Sequence, residues 1–240
     1  MVVSRKHKFV YVRVPKTGST SGLFYFMKSE LFDNSTDLYA LDAAFNSWQE
    51  MYSHFKESGD NYLDFSKWPV DFKPNEYPYR SVHASFNNIV ESIENVDSSY
   101  ACYAGIRNPI DRICSVYFYE QKRRDSNNPP RDFFNYKDVN EFCYTACLAD
   151  APEKLKAVTR LQTSYFPEHA RLWNTENLHE HAVADITALG GKVPERIHAR
   201  HNNIRPKDYK AILSHEVIQM MELKYAQDFV LWEKAYAVYN

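Results

Sequence analysis

No run in the 240-residue sequence is long and apolar enough to cross a bilayer, and the opening MVVSRKHK carries no apolar signal core. The expectation is a soluble protein of a reducing compartment, cytoplasmic by default unless a natural N-terminal anchor is missing from the sequence, with no membrane partner. An excess of one charge is also lacking: Lys+Arg 29 against Asp+Glu 31 gives a formal net charge of -2, and so no support for a nucleic-acid partner. Cysteine is scarce. Cys102, Cys114, Cys143 and Cys147 include one Cys-x-x-x-Cys spacing but no second matching pair, which reads as buried thiols rather than zinc. His179 and His181 flank Glu180 without completing H-E-x-x-H. With no persuasive ligand cluster elsewhere, no metal is expected. There is no internal repeat.

What is present is a composition with 44% hydrophobic and 25% charged residues, enough to bury a full core in one large domain, 1–240. The organising stretch is FVYVRVPKTGSTSGLFYF at 9–26. Residues 9–14 are apolar and β-branched except for Arg13, as expected of a strand buried on both faces of a parallel sheet. Pro15 ends that pattern, and from about Ser19 the spacing turns helical. Between them lie Lys16, Thr17, Gly18, Ser19, Thr20 and Ser21. A glycine tolerant of unusual backbone angles, a set of hydroxyls and the unpaired amides of a new helix make an anion site, with Lys16 as a mobile charge at its mouth. The lysine precedes the glycine, so this is not a G-x-x-x-x-G-K-[ST] loop.

A second strand is marked by YACYAGI at 100–106, followed by Arg107, Asn108 and Pro109. Asn108 can cap the next helix, and Pro109 suits its first turn, where a missing amide does no harm. Arg107 then projects from the carboxyl end of a buried strand, where ligands of α/β sheets commonly sit. Ser115 lies on the helix that follows, placed with Arg107 to grip a second phosphate through directed donors and a hydroxyl. Between these units, His83 falls at a strand end or helix entrance, where a neutral imidazole could take a proton from a substrate hydroxyl.

Together the two segments resemble the cofactor-binding signatures of sulfotransferases, most closely the carbohydrate type represented by heparan sulfate 2-O-sulfotransferase. Pro15-Lys16-Thr17-Gly18-Ser19-Thr20-Ser21 is similar to the loop that holds the 5′-phosphosulfate of 3′-phosphoadenosine 5′-phosphosulfate (PAPS). Arg107-Asn108-Pro109, with Arg112 and Ser115, is similar to the element whose Arg and Ser hold the 3′-phosphate. The resemblance places a catalytic base at His83, a cofactor-side segment at 161–166 and a terminal helix at 225–232.

The resulting expectation is a three-layer α/β fold, a central, mainly parallel sheet flanked by helices, with a P-loop-like nucleotide-binding architecture. The implied reaction transfers a sulfuryl group from PAPS to a hydroxyl, on a glycan or small molecule, leaving adenosine 3′,5′-bisphosphate (PAP) as product. His83 and Lys16 are the expected catalytic residues. Lys16, Thr17, Gly18, Ser19, Thr20, Ser21, Arg107 and Ser115 are expected to bind the nucleotide. A noncatalytic nucleotide- or glycan-binding module is the alternative from another class. A nucleotide or nucleoside kinase is a further one, lacking a Walker loop and a paired-acid magnesium site.

Other stretches carry less. A short helix is expected at 43–56, and an aromatic, proline-broken loop at 59–79 reads as an acceptor-side wall. Lys122, Arg123 and Arg124 open a charged loop that either meets an anionic acceptor or forms a solvated face. A basic loop at 196–207 gathers Arg196, His198, Arg200, His201, Arg205 and Lys207, a concentration of positive potential suited to an anion. From 209 onward helices resume, with an apolar stripe of Ile218, Met221, Tyr225, Phe229, Trp232 and Tyr236 read as core.

Overall fold

A computed structural model describes residues 2–29, 31, 36–38, 83–125, 134–192 and 208–238. The helix expected at 43–56, the 59–79 loop and the 196–207 loop lie outside the described residues. In chain order the elements are β1 (Val2–Ser4), β2 (Phe9–Val12), α1 (Ser19–Lys28), β3 (Thr36–Leu38), α2 (Phe86–Ser92), β4 (Ala101–Ile106), α3 (Pro109–Asp125), α4 (Val139–Cys147) and α5 (Glu153–Thr159). A 3-10 turn at Gln162–Ser164 leads to β5 (Arg171–Asn174) and α6 (Leu178–Ala188). A second 3-10 turn at Tyr209–Ile212 precedes α7 (His215–Lys224) and α8 (Ala226–Ala237).

The strands form one sheet in the order β3-β1-β2-β4-β5. Its β2, β4 and β5 run parallel, with Val12 beside Ala104 and Ile106 beside Asn174. The expectation of a mainly parallel sheet holds only for this half, since β1 pairs antiparallel with both β2 and β3. The cause is local. Only Arg5 to Lys8 separate β1 from β2, too short for a parallel crossover, and Lys8 takes a positive φ of 48° to turn the chain back.

Alternation along the strands sends residues to two different cores. Val10, Val12, Cys102, Ala104 and Ile106 face a cluster with Phe86 and Ile89 of α2 and Ala235 of α8. Phe9, Tyr11, Tyr103 and Trp173 face Leu23 and Phe26 of α1 and Ala182 and Ile186 of α6. The sheet is thus covered on both faces, as near-continuous apolar strands require. On the second face the rings of Phe26 and Trp173 stack at 4.9 Å, and Phe9 stacks on Phe26 at 4.7 Å.

A third core joins α3, α4, α5 and α7 through Ile113, Phe142, Leu155 and Met221. Here α3 runs farther than its sequence suggested: Lys122, Arg123 and Arg124 form its last turn rather than opening a loop, where cations complement the helix dipole. Arg112, fully buried, donates to the carbonyl oxygens of Val158 (3.4 Å), Thr159 (3.2 Å) and Arg160 (2.5 Å). It thereby closes the carboxyl end of α5 from the side. The apolar stripe of 218–236 is likewise divided. The chain breaks at Tyr225, so Met221 and Tyr225 enter the helical core while Trp232 packs toward the sheet.

The cysteines are all free thiols, three buried and Cys147 half-buried. Cys114 and Cys143 lie 3.9 Å apart, and their hydrogen bond together with burial pushes the Cys143 thiol well up. Burial also lifts Cys147, to about 11, so Cys143 and Cys147 pack as neutral thiols.

Candidate functional site

The carboxyl ends of β2 and β4 lie side by side, so the turn after each is built against the other. In the β2–α1 turn, Lys16 has φ 65° and Gly18 has φ 68°, both left-handed. For glycine that is free of steric cost; for lysine it stores about 1–3 kcal/mol, which the surrounding bonds must hold. Thr17 is buried and its hydroxyl donates to the Val14 carbonyl at 3.0 Å, pinning the turn to the strand end. On the other side β4 approaches so closely that a Cβ on Gly105 would stand 2.6 Å from Thr17 Oγ1 and 2.7 Å from the Thr17 carbonyl oxygen.

Gly18 is the N-cap of α1, with no side-chain cap bond and no acidic residue in the first turn. The helical ladder begins with Gly22 N–H donating to the Gly18 carbonyl at 3.0 Å, so the Ser19, Thr20 and Ser21 amides have no partner within the helix. Beneath it, the Tyr11 hydroxyl donates to the Ser19 carbonyl at 3.2 Å, and burial holds that phenol far above its ordinary value, so it remains a donor. Ser19 is buried, Thr20 is exposed and Ser21 lies between. The Thr20 hydroxyl oxygen accepts from Arg13 Nη2 at 3.1 Å.

His83 reaches the same turn from below. Its Nδ1 lies 2.7 Å from the Arg13 carbonyl oxygen, which can only accept, so Nδ1 carries the proton and the neutral ring has Nε2 as its basic nitrogen. Ser85 caps α2 two residues on, accepting from Asn88 N–H at 3.3 Å, which fixes the chain around His83. The His83 carbonyl in turn accepts from Arg160 Nη2 at 3.5 Å.

Arg107 connects the two turns. Its Nη1 donates to the Lys16 carbonyl at 3.1 Å, stabilising the peptide that leaves the left-handed lysine. Pro109 opens α3 as expected, and Asn108 Oδ1 accepts from Asp111 N–H at 3.2 Å. Ser115 is half-buried in the second turn of α3. Tyr119, four residues on and therefore on the same face, lies under the Lys16 ammonium at 3.6 Å from its ring centre. The Ser115 face of α3 is thereby turned toward Lys16. The Arg112 of the second signature does not share this role: its guanidinium points into the helical core.

Sequence reasoning gave three residues here no individual role, although the resemblance put the segment that holds Gln162, 161–166, on the cofactor side. Tyr119 could be found only by carrying the Ser115 face one turn further. Gln162 and Asp228, both fully buried, support the Arg107 main chain through bonds that span 55 and 66 residues, for which there is no local signal. Lys16, Gly18, His83, Arg107 and the face bearing Ser115 are brought together around one turn. Among the described residues no group of three or more His, Cys, Asp or Glu side chains could hold a metal, and no helix is long and apolar enough to cross a membrane.

The physical result is a bare helix N-terminus with a lysine ammonium and an arginine guanidinium anchored beside it, a site that attracts anions. No curated protein and no solved structure gives a match to the chain. A family model does: the one described as Sulfotransferase family matches residues 1–237, nearly the whole sequence, and the chain belongs to the sulfotransferase family.

Proposed function

We propose that the protein transfers a sulfuryl group from PAPS to a hydroxyl of a carbohydrate, in the manner of the heparan sulfate 2-O-sulfotransferase type. The observation that carries this reading is the pairing of the bare α1 N-terminus with Lys16 and Arg107 on a single turn. PAPS fits the chemistry of that donor set. Its 5′-phosphosulfate suits the Ser19, Thr20 and Ser21 amides, the Gly18 turn and the Lys16 charge, and its 3′-phosphate suits Arg107 and the Ser115 hydroxyl. When bound, PAPS supplies an activated sulfuryl group on a phosphate leaving group.

The chain's own residues then have distinct tasks. His83 Nε2 accepts the proton of the acceptor hydroxyl, the Arg13 carbonyl holding the imidazole in the required tautomer and favouring the imidazolium that forms. Lys16 offsets the negative charge that develops on the departing phosphate oxygen. Thr17, whose hydroxyl is spent on Val14, shapes the turn, while the Ser19 and Thr20 positions contribute their amides. Supplying PAPS with a panel of glycans and small alcohols, and reading products by mass, tests the proposal. Sulfated product with release of PAP supports it. Tight PAP binding without transfer to any acceptor makes the protein a binding module, and failure to bind PAP refutes the reading of the site.

A further inference from the structure

Gln162 uses both ends of its side-chain amide on the main chain of one residue. Its Oε1 accepts from Arg107 N–H at 3.0 Å and its Nε2 donates to the Arg107 carbonyl at 2.9 Å. This is the pair of bonds a neighbouring strand would make, supplied where none is available: the β4–β5 register ends at Ile106 and Asn174, one residue short of Arg107. Gln162 is in turn held by Asp228 of α8. The two carboxylate oxygens accept from Gln162 N–H at 2.8 Å and Thr163 N–H at 3.0 Å. Both side chains are fully buried, so no water competes and each bond is strengthened by its surroundings.

A continuous line therefore runs from Asp228 through Gln162 to the Arg107 main chain, and through the Arg107 guanidinium to the Lys16 carbonyl. Gln162 touches Arg107 only at its backbone. What it fixes is the direction in which a long, rotamer-rich side chain leaves the strand, and a guanidinium launched from a fixed root loses less freedom on meeting its target. We propose that Gln162, held by Asp228, is a specificity-determining positioning residue: it aims the Arg107 guanidinium and so sets the preference for adenine nucleotides that carry a 3′-phosphate. This rests on the reading that Arg107 meets that phosphate.

The test is calorimetric titration of adenosine 3′,5′-bisphosphate and adenosine 5′-monophosphate into wild type, Arg107→Ala, Gln162→Met and the double variant. Wild type binds the bisphosphate more tightly, and Arg107→Ala removes that preference. Gln162→Met, similar in volume but without the amide, lowers the ratio of the two affinities about tenfold, almost entirely through the bisphosphate, and adds little once Arg107 is gone. A purely structural role weakens both ligands alike and leaves the ratio intact, and that result overturns the proposal while sparing the assignment of Arg107. Absence of any preference in wild type, or its survival in Arg107→Ala, overturns both. Amide hydrogen exchange on the wild-type protein gives an answer even if Gln162→Met does not fold. Coupling is reciprocal, so the bisphosphate must slow exchange across 161–166 more than the monophosphate does, and equal protection at saturation refutes the clamp.

Discussion

Replacing Gly105 by alanine perturbs the β2–α1 turn without removing any group proposed to act there. The added Cβ would lie 2.7 Å from the Thr17 carbonyl oxygen, where ordinary contact begins at 3.4 Å, so the carbonyl must retreat by about 0.7 Å. It cannot do so alone. The Thr17 hydroxyl is tied to Val14 and the preceding Lys16 carbonyl to Arg107, so the turn must shift as a body or give up one of those bonds. Overpacking of this kind costs about 1–3 kcal/mol, and in a domain of this size each kcal/mol lowers Tm by roughly 2–4 °C. The functional loss should be larger in proportion, since a displacement approaching 1 Å in a positioning group lowers turnover by roughly 10²-fold. Gly191→Ala is the matched control: its Cβ would meet Leu31 Cγ at 2.6 Å, a comparable clash that involves neither the turn nor its anchors. Thermal melts, PAP titration and sulfuryl-transfer rates on the same preparations decide the matter. A folded Gly105→Ala protein with wild-type nucleotide affinity and turnover would refute the claim that β4 sets the position of the turn.

Lys16→Ala keeps the same backbone strain, so it should bind PAP nearly normally but turn over at least tenfold more slowly, and a normal rate removes Lys16 from the chemistry. His83→Ala at saturating donor and acceptor should slow single-turnover transfer roughly 10²–10⁴-fold with nucleotide affinity unchanged; parallel loss of stability and binding, with chemistry intact, would mark His83 as structural. Arg112→Met should cost roughly 3–5 kcal/mol in urea unfolding because three carbonyls lose a buried cationic donor, while any folded fraction keeps its preference for the 3′-phosphate. Burial holds the His181 imidazole below its ordinary value of 6.5, so the unfolded chain takes up a proton before the folded one. Stability is therefore lost as pH falls below about 6.5, and His181→Gln should show a shallower acid-side decline in Tm; identical slopes for the two proteins would show that this group does not contribute.

The parts of the fold legible in the sequence are those whose pattern is local and long. Residues 9–12 and 102–106 are buried and read as unbroken apolar runs, and Asn108 before Pro109 marks a helix start that the structure places there. Strand β5 was not legible. Its four residues begin with an exposed arginine, and it is a strand because β4 offers it an edge, not because RLWN prefers one. The same holds for β1, three residues whose pairing follows from the turn that returns them to β2. In the site, Lys16, Gly18 and Arg107 stood out because strand, turn and helix signals surround each of them. Gln162 and Asp228 did not, since a buried amide or carboxylate acquires its meaning only from a distant partner.

The ties that complete the turn reach far along the chain, and this has a consequence for how the protein is made. Lys16 is synthesised before both of its supports: Arg107 is 91 residues from it and Asp228 is a further 66 beyond Gln162. At about 5–20 residues per second, roughly 10–40 s pass between synthesis of Lys16 and synthesis of Asp228. During that interval the left-handed lysine has first no guanidinium to hold its carbonyl, and then one whose root is not yet clamped. The turn is thus made before the residues that give it its working shape. A nascent chain halted before α8 would hold Lys16 and Arg107 without the means to keep them in place.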